Sequence, residues 1–355
     1  MVKRLTFIAI LIVIILAAAC SSESDNQNSF DIQQLRADFI NLIEQPTTTL
    51  FTQNIRSLHT TITSFSNNTS IQNLQAVKEA WKKAAEAFSS IEPYNIGEIK
   101  NSNIQTSFYT WGADDTGINA YIASTNTIDQ ESINSLPTTQ RGLSAIEFLL
   151  FEFSEQQTVE SFMNTRRINY LSTLGENLVS KSNIYKTLWE NTRNDFIQNN
   201  QTGINGSMNQ IVNQMYALLE DIKSLKIGEP AGIERTSNPD SELLQAEKSS
   251  YSLNLIKENI ESIKSLYFGN ANGLDDYIFS KTNTTELNDE ITKTFNNIES
   301  AISSLNHIPL NQSIFNKPTE VQNLYNTIRD LLILMKVDVA DVLSITITVT
   351  DNDGD

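Results

Sequence analysis

Arg141-Gly142-Leu143-Ser144-Ala145-Ile146-Glu147-Phe148-Leu149-Leu150-Phe151-Glu152 puts a carboxylate into the most apolar run beyond the N-terminal segment. At about 100° per residue, Leu143, Ile146 and Leu150 share one arc of a helix and Glu147 falls inside it. Glu152 points the opposite way, and Ser144 lies one turn before Glu147. A charge among large apolar side chains is costly unless it is paired, hydrogen-bonded, metal-bound or protonated. The stretch therefore reads as a buried helix in which Glu147 needs a partner. Thr138 or Thr139 is placed to cap that helix. Gly142 costs a helix about 1 kcal/mol relative to alanine, so its presence points to a close backbone approach.

Outward from this stretch the pattern stays helical. Glycine (12) and proline (7) are scarce in 355 residues, which favours long helices over a turn-rich β architecture. Phe30 to Ile43 predicts a first helix stopped by Pro46. Leu50, Phe51, Ile55, Leu58, Ile62 and Phe65 form a second stripe, and Ile71 to Ile91 is the clearest amphipathic segment. Asn101 to Thr127 is less regular; Trp111 beside Asp114 and Asp115 reads either as a pocket wall or as an ordered loop. Helices follow through Leu178, through Trp189 and Phe196, and from Ile211 to Leu225. Lys226 to Gly232 is the densest Gly/Pro cluster and sets a domain boundary. Residues 30–225 then form an N-terminal helical bundle carrying the Glu147 stretch, and 226–355 a C-terminal helical bundle. Ile345, Ile347 and Val349 alternate like a short C-terminal strand. The Asp351–Asp355 ending resembles the start of a calcium loop that lacks the later ligands.

The net charge of −17 argues against nucleic acid, which requires clustered Lys and Arg. One cysteine and two histidines exclude an internal disulfide and a Cys/His zinc cluster. His59 has no ligand-spaced neighbour and His307 precedes Pro309; both read as structural or surface residues. Lys3 and Arg4, the apolar run Leu5 to Leu16 and the small residues before Cys20 read as a lipoprotein signal peptide over 1–19. Cys20 is then lipidated and 20–29 is a tether, which anchors the protein to a membrane; an uncleaved anchor is the alternative.

Gly142, Ser144 and Glu147 resemble the Gly-x-His-x-x-Glu signature of the imelysin-like family of bacterial envelope proteins, with Ser144 in the histidine position. Arg167, Tyr170 and Leu171 are similar to the family's Arg-x-x-Tyr-Leu segment, and Trp111 occupies the place of a tryptophan segment before the motif. Lys226, Gly228, Pro230 and Gly232 resemble a further family element, followed by Glu247 and Tyr251-Ser252. The resemblance implies an all-α fold of two helical-bundle halves with the motif near their interface. It implies a lipid-anchored envelope protein, at the outer membrane, tied to iron uptake or regulation and to envelope or iron-uptake partners. Gly142, Ser144, Glu147, Arg167, Trp111 and Tyr170 become the ligand-site candidates, with Glu147 the metal contact for iron or a divalent metal. An arginine's planar fork suits a buried carboxylate, so Arg167 is the first candidate partner of Glu147 and Arg141 the second.

Some relatives are called peptidases. A zinc peptidase of the His-Glu-x-x-His type needs two histidines on one helix face, and none exists here. Ser144 lacks the glycine of a nucleophile elbow and a histidine nearby in sequence to act as base. The preferred reading is a non-enzymatic ligand- or metal-binding module. A divergent metallopeptidase and a structural or partner-binding surface lipoprotein are the alternatives.

Overall fold

The structure, a computed structural model, describes residues 30–348. The signal segment, Cys20, the tether and the Asp351–Asp355 ending lie outside them. The principal helices are α1 (Gln45–Asn67), α2 (Ile71–Ile91), α3 (Gly142–Phe151), α4 (Thr165–Gln198), α5 (Ser207–Asp221), α6 (Ser252–Phe268), α7 (Glu286–Ser304) and α8 (Pro318–Ile333). The fold is all-α. α1 packs along both α2 and α4, α6 lies on the far side of α2, and α8 packs against α5 and α7. α3 is short and is held between α2 and α4. Its residues from Gly142 to Leu150 are all buried, which is why its sequence is apolar nearly all round. No helix among the described residues is long and apolar enough to cross a membrane.

Two local expectations are corrected. Pro46 does not stop the first helix. Ile32–Asp38 runs through a π-helical turn, Phe39–Glu44, into α1, with Pro46 in the first turn of α1. Proline lacks an N–H and crowds the carbonyl four residues back, and a π turn relieves that crowding. The Leu42 carbonyl left without its helical donor accepts instead from the Asn270 side-chain amide at 2.9 Å. The C-terminal strand is also absent among the described residues. Residues 345–348 are extended, but their partner is a helix: Asn209 and Asn213 of α5 offer side-chain amides spaced one turn apart. Asn209 Oδ1 accepts from Thr346 N (2.7 Å) and Asn213 Oδ1 from Thr348 N (2.7 Å). Both amide nitrogens donate to the Thr346 carbonyl, at 3.0 and 2.9 Å. The alternating pattern was real, and two asparagines stand where a neighbouring strand would.

The boundary expected at 225/226 falls inside a helical run, since a π-helical segment Ile222–Gly228 continues α5. From Ile32 onward the described residues cluster as one compact unit. Lys226 is buried there, and its ammonium donates to Glu92 (3.0 Å) and to Asn259 Oδ1 (2.7 Å). Asn259 in turn donates to the Ser89 carbonyl at 2.8 Å. This cross-link ties the end of α2 to α6 through the residue that opens the Gly/Pro cluster.

Candidate functional site

The start of α3 is fixed by backbone rather than by a threonine cap. Thr138–Gln140 forms a 3₁₀ turn, and the cap position, Arg141, makes no side-chain cap bond. The Leu143 N–H instead donates to the Phe108 carbonyl at 2.7 Å. Gly142 has φ +72°, and a Cβ there would sit 2.5 Å from the Phe108 oxygen. Glycine is required on both counts. Trp81 Nε1 donates to the Leu143 carbonyl at 2.8 Å, and the Trp81 ring packs edge-on against Tyr109 and Phe151. These contacts lock the register of α3 and therefore the position of Glu147.

Glu147 is 5 % exposed, as its place on the helical wheel requires. Its partners are neutral. Ser249 gives Oε1 both its backbone N–H (2.9 Å) and its hydroxyl (2.8 Å), and the Tyr109 hydroxyl lies 3.3 Å from Oε2. Burial lifts the Glu147 pKa from 4.5 to about 7; the Ser249 and Tyr109 bonds pull it back and the Glu247 charge pushes it further up. Burial also holds the Tyr109 phenol well above its ordinary value. The single Ser249 hydroxyl proton has a second acceptor, the Ala246 carbonyl at 3.1 Å. When Glu147 is protonated it can donate to Ser249 Oγ while that hydroxyl turns to Ala246, so both charge states have hydrogen-bonded arrangements.

Glu147 lies in the wall of a cavity of about 340 Å³. Ser144 lines it too, as do Trp111 and Asp115 from the irregular segment before α3. The opposite wall comes from one loop far away in sequence: Glu242, Leu244, Ala246, Glu247 and Lys248. That loop is bent by two non-glycine residues at positive φ, Ala246 (57°) and Ser250 (57°). Left-handed backbone costs an ordinary residue about 1–2 kcal/mol. The bend places Ser249 N–H on Glu147. Lys248 reaches Asp115 at 2.8 Å and lies over the Phe148 ring at 5.6 Å. Burial with the Glu242 and Asp115 charges raises the Glu247 pKa against the opposing pull of Lys248.

Arg167 is not the partner of Glu147. It is buried between the Phe148 and Phe162 rings, donates to the Leu149 carbonyl at 3.3 Å and approaches Glu152 at 3.7 Å. Arg141, the second candidate, donates to the Asn134 carbonyl. Tyr170 is buried outside the cavity and donates its hydroxyl to the Gln140 carbonyl. Gly142, Arg167 and Tyr170 thus brace α3, whereas Trp111, Ser144 and Glu147 meet the cavity. Ser249 and Tyr109 were not among the candidates. Tyr109 lies two residues before Trp111, and Ser249 two before Tyr251-Ser252. A buried carboxylate near neutrality is satisfied by hydroxyls and amides, which carry no charge signal in a sequence.

The described residues contain no group of three His, Cys, Asp or Glu side chains converging on one point. Ser144 stands where an imidazole would be, and its hydroxyl donates to the Arg141 carbonyl at 3.3 Å. Glu147 Oε1 is already engaged by Ser249. This donor set does not fit a preformed iron or zinc centre, which needs several ligands at about 2 Å.

The family model described as imelysin, peptidase M75, matches residues 45–335. The chain belongs to the imelysin family. Among solved structures it is similar to an imelysin-like protein from Psychrobacter arcticum 273-4, at TM-score 0.73 and 16% identity over 89% of this chain and 96% of that one. It is equally similar to a protein from Parabacteroides distasonis ATCC 8503 described as an iron-regulated protein A precursor, at TM-score 0.74 and 17% identity over 87% and 94%. At these identities the likeness establishes the imelysin fold alone. Comparison with curated proteins finds no match.

Proposed function

We propose that this imelysin-family chain is a non-enzymatic binding protein of the bacterial cell envelope, anchored through Cys20, that takes a cationic ligand in the Glu147 cavity in the service of iron uptake. One observation carries this reading: Glu147 is a buried carboxylate at a cavity wall, held by Ser249 and Tyr109 and in no ion pair among the described residues. Such a group has a raised pKa and stands ready to be neutralised by a proton or by a ligand's charge. The iron association draws on the description of the Parabacteroides distasonis protein. The envelope placement draws on the sequence from Lys3 to Cys20.

The peptidase alternative has one observation behind it, the Ser249–Glu147 contact at 2.8 Å. It resembles a nucleophile beside a base. But Ser249 also spends its backbone N–H on the same oxygen, and the cavity wall is built without it. The pair acts as a clamp. Hydrolysis of an unstructured protein, measured with and without a chelator and in Ser249→Ala, separates the readings: no turnover is expected, and turnover lost on chelation or in Ser249→Ala would install the peptidase. For the binding reading, cation titrations followed by calorimetry are expected to saturate and to weaken in Glu147→Gln. Failure of every metal and organic cation to bind would remove it. Ser144→His adds an imidazole one turn from Glu147 and is expected to raise zinc affinity above that of the wild type.

A further inference from the structure

The lining of the Glu147 cavity carries Asp115, Glu147, Glu242 and Glu247 against one cation, Lys248, among the described residues. Of its charged lining residues, Lys248 is paired with Asp115 at 2.8 Å. Among the described residues, none of Glu147, Glu242 and Glu247 makes an ion pair. The three are close enough to influence one another: Glu247 raises the Glu147 pKa, and Glu242 raises that of Glu247. Yet they do not converge as metal ligands do. A hard cation such as calcium or magnesium needs six or more oxygens, at about 2.0–2.6 Å from one point. Spread carboxylates around a volume of about 340 Å³ match a molecule that carries its charges some distance apart.

Among the carboxylates the lining carries one aromatic side chain, the half-buried Trp111, whose ring offers a face for methylene groups. The chain itself shows what this chemistry holds. The Lys248 ammonium, a primary amine on an alkyl stem, sits against the Asp115 carboxylate and over the Phe148 ring at the cavity edge. Carboxylate plus aromatic face is a favourable setting for an alkylammonium.

We propose that the cavity binds a short aliphatic diamine, its methylene chain against Trp111 and its two ammonium ends on the Glu147, Glu242 and Glu247 carboxylates. This rests on the reading that the cavity is the protein's ligand site, and it names the ligand class for that site. Each ammonium carries three donors and replaces its water with charge-assisted bonds. A neutral chain of equal length has no such partners, and a monoamine leaves part of the negative charge exposed. Because Glu147 titrates near neutrality, the diamine binds more tightly at pH 8 than at pH 6 and releases a proton on binding.

The test uses the full-length chain at about 0.15 M salt, where surface charge is screened beyond about 8 Å. 1,4-Diaminobutane is titrated and followed by calorimetry and by tryptophan fluorescence. Trp81 and Trp189 are buried, so a ligand-dependent change reports Trp111. Butylamine, 1,4-butanediol, ferrous ion and zinc are titrated separately. The diamine is expected to saturate and to bind about tenfold tighter than butylamine, with no signal from the diol. Glu247→Gln and Glu242→Gln are each expected to weaken it about tenfold, and Lys248→Met to tighten it by releasing Asp115. Metal ions that saturate the cavity while the diamine does not would overturn the ligand class and leave the binding site standing. Equal binding of the diol, or unchanged affinity in Glu247→Gln, would likewise overturn the class. Silence from every probe would remove both the class and the site.

Discussion

Two buried glutamates, Glu44 and Glu147, are satisfied in opposite ways. Glu44 is 1 % exposed on the π turn before α1, and Arg193 of α4 grips it through Nε at 2.6 Å and a second nitrogen at 3.3 Å. Thr48 adds a hydroxyl at 2.6 Å. Nothing of this pair is left for a ligand, and the fork joins the first helical run to α4. Glu147 is almost as buried but among the described residues hydrogen-bonds only Ser249 and Tyr109, with a cavity beside it. Burial raises the pKa of both. The difference is the counter-charge: Glu44 is committed to holding helices together, and Glu147 keeps its charge state open.

The comparison is easiest to break at Glu44. Arg193→Ala leaves a buried carboxylate without its cation, and such a loss costs about 3–5 kcal/mol. Chemical denaturation is expected to show it as the largest destabilisation among the variants named here. A smaller loss than in Glu147→Ala would mean the two sites have been assigned the wrong way round.

pH gives the next effect, of about 3 kcal/mol. The folded Glu147 pKa of about 7 lies above the unfolded value of 4.5. The folded state therefore holds a proton the unfolded state has lost between those values. Its stabilising contribution is complete below pH 4.5 and falls by about 1.4 kcal/mol for each pH unit until it is lost as pH rises through 7. The difference between wild type and Glu147→Gln isolates this slope, because every other group titrates in both. Parallel stability curves would show that Glu147 titrates normally.

Glu147→Ala follows, at about 2 kcal/mol, because it strands the Ser249 N–H and the Tyr109 hydroxyl in a buried place. Glu147→Gln keeps an acceptor, a similar volume and the neutral state, and is expected to match the wild type below pH 4.5 and to be the more stable of the two at neutral pH. The smallest effect belongs to Glu152→Ala. Glu152 meets Arg167 at only 3.7 Å and is partly exposed, so its loss is expected to cost at most about 1 kcal/mol. A loss matching Glu147→Ala would contradict the separate roles given to the two ends of α3.

Local periodicity made much of this legible. The burial of Glu147 and the partial exposure of Glu152 follow from 3.6 residues per turn, and the need for glycine at 142 from its cost in a helix. Partners across the chain were not legible. Ser249 is 102 residues from Glu147, and a serine N–H carries no more signal than any other. Arg167 was favoured because sequence reasoning seeks a charge for a charge, while the fold placed that guanidinium between two phenylalanine rings. Pro46 misled for a related reason: the rule that proline ends helices is local, and the π turn that admits it is completed by Asn270, two residues beyond the end of α6.

The central claim is that Glu147 is a buried carboxylate poised between charge states. ¹³C-carboxylate titration of the folded protein, with Glu147→Gln to assign the resonance, tests it directly. The Glu147 midpoint is expected at about 7, falling when a cation occupies the cavity. A midpoint at or below 4.5 in the free protein would contradict the claim.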